Sequence, residues 1–234
     1  MTPDLARRLA AARGVKRPVV LATSLPDGRE LVWPDDNGVP PALAEAAAVA
    51  LDRDQSGTVR LADGSSWMLS AYNPPLRLII VGAVHAAQAL VRMSTATGYA
   101  AIVIDPRRAF ATVERFPDID LVHDWPDEAM DALRPDTRTA VITLTHYPKL
   151  DDPALDRALR SPAFHIGALG SRRTHARRLD RLRALGHDDA SLARIKGPVG
   201  LDIGAVTAPE IALSIMAEIV AVRRHALERT AKAA

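Results

Sequence analysis

The feature that most constrains the fold is a continuous apolar run, LRLIIV at residues 76–81, which leads directly into Gly82. Strands that are buried on both faces, as in parallel sheets, read as uninterrupted hydrophobic runs rather than alternating ones. A helical pattern follows from about His85 to Thr97 and ends at Gly98. Because parallel strands need a crossover connection, this order predicts a βαβ unit at the start of an α/β domain.

The same alternation continues along the chain. We predict further strands at 101–104, 119–122, 139–144 and 163–166, and further helices at 126–133, 153–160, 171–185 and 207–226. Asp152 is interpreted as the N-cap of the helix that starts at Pro153, and Thr207 with Glu210 fits a capping box. This order predicts an α/β fold with a doubly wound, mainly parallel, Rossmann-like sheet.

The sequence pattern of residues 1–73 differs from the strand–helix alternation that follows, and it predicts a small N-terminal α+β domain. An amphipathic helix precedes apolar runs that flank turn signals at 26–28 and 63–64, as expected for hairpins. Asn73-Pro74-Pro75 then forms a stiff connector, because proline restricts both its own backbone and that of the preceding residue. We therefore predict two domains, 1–73 and 74–234.

The composition argues against several functional classes. The 234 residues include no cysteine, so the chain offers no disulfide and no thiolate for a metal or a nucleophile. The net charge of +2 gives no argument for nucleic acid, and no segment reaches the ~20 apolar residues of a membrane span. No signal peptide is recognisable at the N-terminus, so a cytoplasmic location is expected.

Known catalytic spacings are also missing from the sequence. We recognise neither a Ser–His–Asp arrangement nor a metal-ligand spacing, so we predict no catalytic residue and no metal ligand. His123, His187 and His225 are interpreted as isolated surface residues.

The first candidate site follows the first strand of the α/β domain. Gly82 permits a tight turn, and Val84 and His85 open a helix whose free N–H groups suit a phosphate. Asp105 ends the next strand, 23 residues after Gly82, where a Rossmann fold holds a ribose hydroxyl; Arg107 would favour a 2′-phosphate. Val84 replaces the second glycine and crowds a pyrophosphate. Alternatively, Gly82 serves only the turn and Asp105 only its own loop.

The second candidate site is a glycine-rich turn into a helix. Gly167 and Gly170 follow an apolar strand, and Ser171 begins a helix that opens with two arginines, Arg172 and Arg173. Free N–H groups, the helix dipole and guanidinium donors together favour an anionic ligand. The helix carries six arginines, which cannot all face one ligand, so most are expected on a solvated face.

The third candidate site follows the strand at 139–144, on the ligand-binding rim of an open α/β sheet. His146 is suited to bind a metal or transfer a proton, Lys149 to neutralise a phosphate, and Asp151 adds a carboxylate. Structural roles for these side chains remain open.

A fourth candidate is the glycine-rich segment 197–205, which contains one acid, Asp202, and ends near Gly204. Such a segment lets a ligand or another backbone approach closely, or it is only a turn-rich connection.

Five segments in order resemble the C-terminal, Rossmann-like domain of the XdhC/CoxI family. They are IIVGAVHAAQAL, VIDPRRAFATVERFP, LTHYPKLDDPAL, IGALGSRRTHARRL and GPVGLDIGAVTAPEIALSIMAEIVA, within about residues 70–225. Members of this family are accessory proteins for the maturation of xanthine dehydrogenase-type and carbon monoxide dehydrogenase-type molybdenum hydroxylases. In them the domain is associated with binding the molybdenum cofactor, a phosphorylated pterin dithiolene that sometimes carries a nucleotide.

The resemblance implies a cofactor carrier rather than an enzyme. It would place the phosphate at the helix starts after Gly82 and Gly170, and the pterin near 146–152 and 197–204. The implied partners are a client molybdenum hydroxylase and, because the chain has no cysteine of its own, a separate sulfurtransferase. A homodimer is compatible with this reading.

Two other functions stay open at this point. One is an NAD(P)-dependent oxidoreductase that uses Gly82 and Asp105. The other is a nucleotide-sensing regulatory subunit whose arginine-rich helix docks a partner.

Overall fold

The computed structural model describes the backbone of residues 2–233 and the side chains of residues 2–225. The chain forms two compact units, one that runs to Pro74 and one that runs from Pro75 to Arg229. Within the described residues, no helix is long and apolar enough to cross a membrane.

The N-terminal unit is an antiparallel sheet with two helices. Its elements are α1 (Pro3–Gly14), β1 (Val19–Ser24), β2 (Glu30–Trp33), α2 (Pro41–Asp52), β3 (Gly57–Arg60) and β4 (Ser66–Tyr72). The four strands lie in the order β2-β1-β4-β3, all in antiparallel pairs. Neighbouring residues of β1 point to opposite faces, so Val20 packs with Leu43 of α2 and Leu21 packs with Leu5 of α1. The predicted amphipathic helix and the two hairpins of this unit are confirmed.

The second unit is built on a six-stranded parallel sheet. Its elements are β5 (Leu76–Val81), α3 (His85–Ala96), β6 (Tyr99–Ile104), β7 (Asp120–Val122), α4 (Pro126–Leu133), β8 (Thr139–Thr143), α5 (Pro148–Leu159), β9 (His165–Ala168), α6 (Arg172–Ala184), α7 (Asp189–Leu192), β10 (Ile195–Lys196) and α8 (Ala208–Ala233). The strand order is β10-β9-β8-β5-β6-β7, and each pair is parallel. The predicted doubly wound α/β fold is confirmed.

Both faces of this sheet are covered, as the apolar run at 76–81 requires. Ile80 faces the layer that contains Leu90 of α3 and Ile215 of α8. Ile79 faces the layer that contains Leu155 of α5 and Leu182 of α6. Each of these side chains is fully buried and contributes about 1.5–3 kcal/mol through transfer from water. The chain winds outward in both directions from β5. In open α/β sheets such a reversal marks the ligand-binding crevice at the carboxyl edge, here between β5 and β8.

The start of α5 differs from the sequence prediction. The helix begins at Pro148 and includes Pro153, and Asp152 lies one turn inside it. Both prolines suit a first helical position, but the earlier start also buries Leu150. Asp152 is therefore not an N-cap; it forms an ion pair with Arg181 of α6, with a separation of 3.0 Å between Arg181 Nη2 and Asp152 Oδ1.

Other local predictions were wrong in detail. Strand β9 begins at His165, two residues later than expected, and the short elements α7 and β10 were missed. His187 is not a surface residue: it is buried, and its Nε2 lies 2.7 Å from Oδ1 of Asp156. The expected capping box is confirmed, since Thr207 N donates to Glu210 Oε2 at 2.8 Å.

Candidate functional site

Three loops meet at the carboxyl edge of β5, β8 and β9, where the strand order reverses. Gly82 has φ +109°, and a Cβ there would overlap Cγ2 of Thr145 in the loop after β8. Gly170, in the loop after β9, has φ +141°, and a Cβ there would lie 3.4 Å from Nδ1 of His146. The positive φ favours glycine at both positions, and at Gly82 the overlap with Thr145 also leaves no space for a side chain. The structure therefore brings Gly82, His146 and Gly170 into one cluster of loops.

Asp105 holds the loop after β5 through hydrogen bonds from the interior of the unit. Its side chain is fully buried; Oδ2 accepts hydrogen bonds from Ala83 N at 2.8 Å and Arg107 Nη2 at 2.7 Å. Oδ1 accepts from the backbone N and the Nε of Arg107. Burial acts to raise the pKa of Asp105, but these hydrogen bonds outweigh it and hold the pKa below its ordinary value. Both oxygens are engaged, so this geometry does not support the ribose contact expected from the sequence.

Arg107 is held at the rim by this carboxylate. Its guanidinium lies over the ring of Phe110, 4.4 Å from the centroid. Asp105, Asp151 and Tyr147 all act to raise the pKa of Arg107, which places the loops after β6 and β8 within electrostatic reach of each other. The result is a fixed cation beside the crevice.

The start of α3 carries no side-chain cap. Val84 occupies the N-cap position, where its side chain offers no acceptor, and it packs partly buried against the core layer of α3 and α8. His85 follows as an exposed first residue. The first N–H groups of a helix have no partner within the helix, so an uncapped start presents donors to an anion.

The start of α6 carries exposed positive charge. Ser171 is the N-cap, as predicted, and its Oγ accepts from Thr174 N at 3.1 Å. Arg172 and Arg173 are exposed, and neither forms an ion pair with any described side chain. Gly167 lies elsewhere: it is buried within β9, where a Cβ would overlap Cγ2 of Val199. Gly167 therefore allows close packing and does not face the crevice.

The loop after β8 holds a strained residue. His146 is exposed and has φ +57°, a conformation that costs a non-glycine residue roughly 1–3 kcal/mol and that persists only when its surroundings impose it. Thr145 supplies that constraint: its Oγ1 accepts from Tyr147 N at 3.0 Å and donates to Asp151 Oδ1 at 2.6 Å. Lys149 is not part of this arrangement. It lines a shallow groove with Asp127 and Asp152.

Behind the loops lies a buried ion pair, of which only Asp151 was a candidate site residue from the sequence. Asp151 and Arg178 are each 1% exposed, with 3.6 Å between Oδ2 and Nη2. Burial raises the pKa of Asp151, against the hydrogen bond from Thr145 and the charge of Arg178. Burial likewise lowers the pKa of Arg178. Most arginines of α6 were expected on a solvated face. Arg178 is an exception, since it lies four residues before the buried Leu182 and shares its face of the helix.

The segment after β10 lies beside the carboxyl edge of the sheet and is anchored to α8. Gly200 has φ +104°, and a Cβ there would overlap Oγ of Ser214 on α8. Leu201 N donates to Ser214 O at 3.1 Å. Asp202 and Gly204 are exposed beyond this anchor, and nothing lies within 4 Å of a Cβ built on Gly204. Among the described residues, no group of three or more His, Asp or Glu is placed to hold a metal ion.

Comparison with known proteins identifies the family. The family model described as the XdhC Rossmann domain matches residues 78–219. The chain is 34% identical over 165 residues to the molybdenum cofactor insertion chaperone PaoD of Escherichia coli K12, covering 69% of this chain and 46% of PaoD. It is 30% identical over 162 residues to a Bacillus subtilis 168 protein named as a probable xanthine dehydrogenase component, covering 69% of this chain and 47% of that protein.

A solved structure shows the same fold. A crystal structure described as a xanthine dehydrogenase from Bacillus halodurans superimposes with a TM-score of 0.75 at 22% identity, covering 97% of this chain and 68% of that one. The chain spans about half the length of the two curated relatives, PaoD and the Bacillus subtilis protein. The resemblance drawn from five sequence segments is thereby confirmed, and the chain belongs to the XdhC family through its Rossmann domain.

Proposed function

We propose that this chain binds the molybdenum cofactor as cargo and delivers it to a molybdenum hydroxylase of the xanthine dehydrogenase or carbon monoxide dehydrogenase type. Its relative PaoD is named a molybdenum cofactor insertion chaperone. The observation that carries the proposal is the meeting of three loops beside two arginines that lack ion-pair partners among the described side chains. Unpaired surface cations beside a glycine-lined crevice suit a phosphorylated ligand.

The residues at this edge fit the parts of such a cargo. Its phosphate would bind at the start of α6, where Arg172 and Arg173 supply guanidinium donors and the helix dipole adds positive potential. The polar edges of the pterin would bind His146 and Asp202, which are both exposed at this rim. Arg107 adds a second fixed cation, suited to the further phosphate of a nucleotide form.

The same geometry counts against a nicotinamide dinucleotide. Val84 stands where a Rossmann dinucleotide site has its second glycine, and its branched side chain crowds a pyrophosphate. Asp105 is buried and fully engaged by Arg107 and Ala83, so it offers no free carboxylate to a ribose. The proposed role is therefore carriage of a cofactor rather than hydride transfer.

The partners follow from the proposed cargo. A client apoenzyme must receive the cofactor, and any sulfuration of the molybdenum must come from a separate sulfurtransferase, because this chain has no cysteine. The homodimer and the cytoplasmic location stay predictions.

Ligand retention under anaerobic conditions tests the proposal. The protein is mixed separately with molybdenum cofactor released from a purified molybdoenzyme, with NADH and with NADPH, and is then ultrafiltered. We expect molybdenum and pterin to be retained and both nicotinamides to pass through. Stoichiometric retention of a nicotinamide with no retained molybdenum would refute the proposed cargo and leave the oxidoreductase and the nucleotide-sensing subunit as the alternatives.

Delivery is tested separately. Cofactor-free xanthine dehydrogenase is incubated with the same amount of molybdenum cofactor, either free or preloaded on this chain. Faster recovery of activity from the loaded chain supports delivery, and equal recovery contradicts it.

A further inference from the structure

The buried ion pair of Asp151 on α5 and Arg178 on α6 makes few hydrogen bonds for two desolvated charges. Asp151 Oδ2 and Arg178 Nε and Nη1 are buried and have no hydrogen-bond partner among the described residues. A separation of 3.6 Å is an ion pair without a hydrogen bond of good geometry. Desolvating two charges is costly, and apolar residues of similar size often stabilise such a site equally well or better. Folding stability alone therefore does not explain why the pair is present.

Each member of the pair is joined to a different loop of the candidate site. Asp151 Oδ1 accepts from Thr145 Oγ1, and the same hydroxyl accepts from Tyr147 N, so the backbone of His146 is bracketed on both sides. Arg178 Nη2 donates to Leu169 O at 2.9 Å, immediately before Gly170. The pair thus connects the loop after β8 with the loop after β9.

We propose that Thr145, Asp151 and Arg178 act as positioning residues, which hold His146 and the start of α6 in the geometry that binds the cargo. The inference rests on the proposed function and adds residues that need not touch the cargo. The strained φ of His146 gives it a physical basis, because a left-handed non-glycine residue relaxes when its supporting bonds are removed. The buried charges lower the folding stability, and in return the network fixes the relative positions of the two loops.

A positioning role and a purely stabilising role predict different results for apolar replacements. In Asp151→Leu or Arg178→Met, the remaining charge is buried without its partner, so both single variants should be less stable than the parent. The double variant removes both charges, and its denaturation midpoint should return to the parental value or exceed it. Affinity for the molybdenum cofactor should nevertheless stay at least tenfold weaker in the double variant, because the loops are no longer connected. Recovery of affinity together with stability would overturn the proposal.

A matched control lies on the same helix. Asp156 is also a buried carboxylate of α5, but it pairs with His187 and Arg160 rather than with a loop of the site. Asp156→Asn should lower stability and leave the affinity within threefold of the parent. A conservative pair tests the hydroxyl: Thr145→Ser should keep the affinity and Thr145→Val should weaken it. Equal affinities for these two variants would remove Thr145 from the network.

Hydrogen exchange in the ligand-free protein separates this inference from the proposed function. The hydrogen-bonded amides of Tyr147 and Leu169 should exchange at least tenfold faster in the double variant, while the strands stay as protected as in the parent. Unchanged exchange in these loops overturns the positioning role, whatever the protein binds. Faster loop exchange in a protein that retains no molybdenum cofactor would keep the positioning role and refute the proposed cargo.

Discussion

The double variant Arg172→Ala/Arg173→Ala tests where the cargo phosphate binds. Both side chains are exposed at the start of α6 and make no ion pair with any side chain that the structure describes, so folding stability should change by no more than about 0.5 kcal/mol. A charge-assisted hydrogen bond contributes about 1.5–3 kcal/mol, so the loss of one such bond weakens binding about 10- to 150-fold. Loss of both gives a larger effect that need not be additive.

The assay is anaerobic ultrafiltration of the parent and the variant with the molybdenum cofactor, alongside denaturant unfolding of both proteins. Arg177→Ala is the matched control, because Arg177 is an exposed arginine one turn further along the same helix. We expect the control to bind within threefold of the parent. A folded double variant that binds as tightly as the parent would refute the placement of the phosphate at α6. An equal loss in the control would show that only the summed positive charge matters.

Three further predictions follow from the loop geometry. Gly82→Ala should lower the free energy of unfolding by about 2–5 kcal/mol, because φ is positive there and the new Cβ would overlap Thr145. Gly98→Ala should lower it by only about 1–2 kcal/mol, since φ is +82° but nothing lies within 4 Å of the new Cβ. Equal denaturation midpoints for the two variants would contradict this. The lowered pKa of Asp105 stabilises the fold above its ordinary value of 3.8, and this contribution is lost as the pH falls through the folded-state pKa. Asp105→Asn should therefore flatten the acid limb of stability measured from pH 7 to pH 2, and an unchanged acid slope would refute the argument. Val84→Gly should improve NADH binding in a fluorescence titration if steric crowding alone excludes a dinucleotide, and no gain would show that other parts of the site reject that ligand.

The architecture was readable from the sequence because its signals are local and agree with one another. The apolar run at 76–81, the glycine that follows it and the capping box at Thr207 each predict one element, and all three are confirmed. The predicted start of α5 was wrong because two local signals competed and only tertiary packing decided between them. Pro148 and Pro153 are both good first helical residues, and burial of Leu150, which depends on tertiary packing, selects the earlier one.

The candidate site was only partly readable. Gly82, His146 and Gly170 were singled out by residue type, and the structure brings them together because parallel strands end at one edge. The roles of Asp105 and Gly167 were less accessible, since each depends on a neighbour from another strand or loop. Arg178 lies four residues before Leu182, so helical spacing places it on the buried face of α6. Its pairing with Asp151 depends on how α5 packs on α6 and could not be predicted from the sequence.

Co-elution tests most directly whether this chain binds the molybdenum cofactor. The purified protein is incubated anaerobically with the molybdenum cofactor and separated by gel filtration, and the protein peak is assayed for molybdenum and for the fluorescence of the oxidised pterin. We expect both in a stoichiometric ratio to the chain, and both strongly reduced in Arg172→Ala/Arg173→Ala. A folded parent protein that elutes with neither molybdenum nor pterin would contradict the proposed cargo.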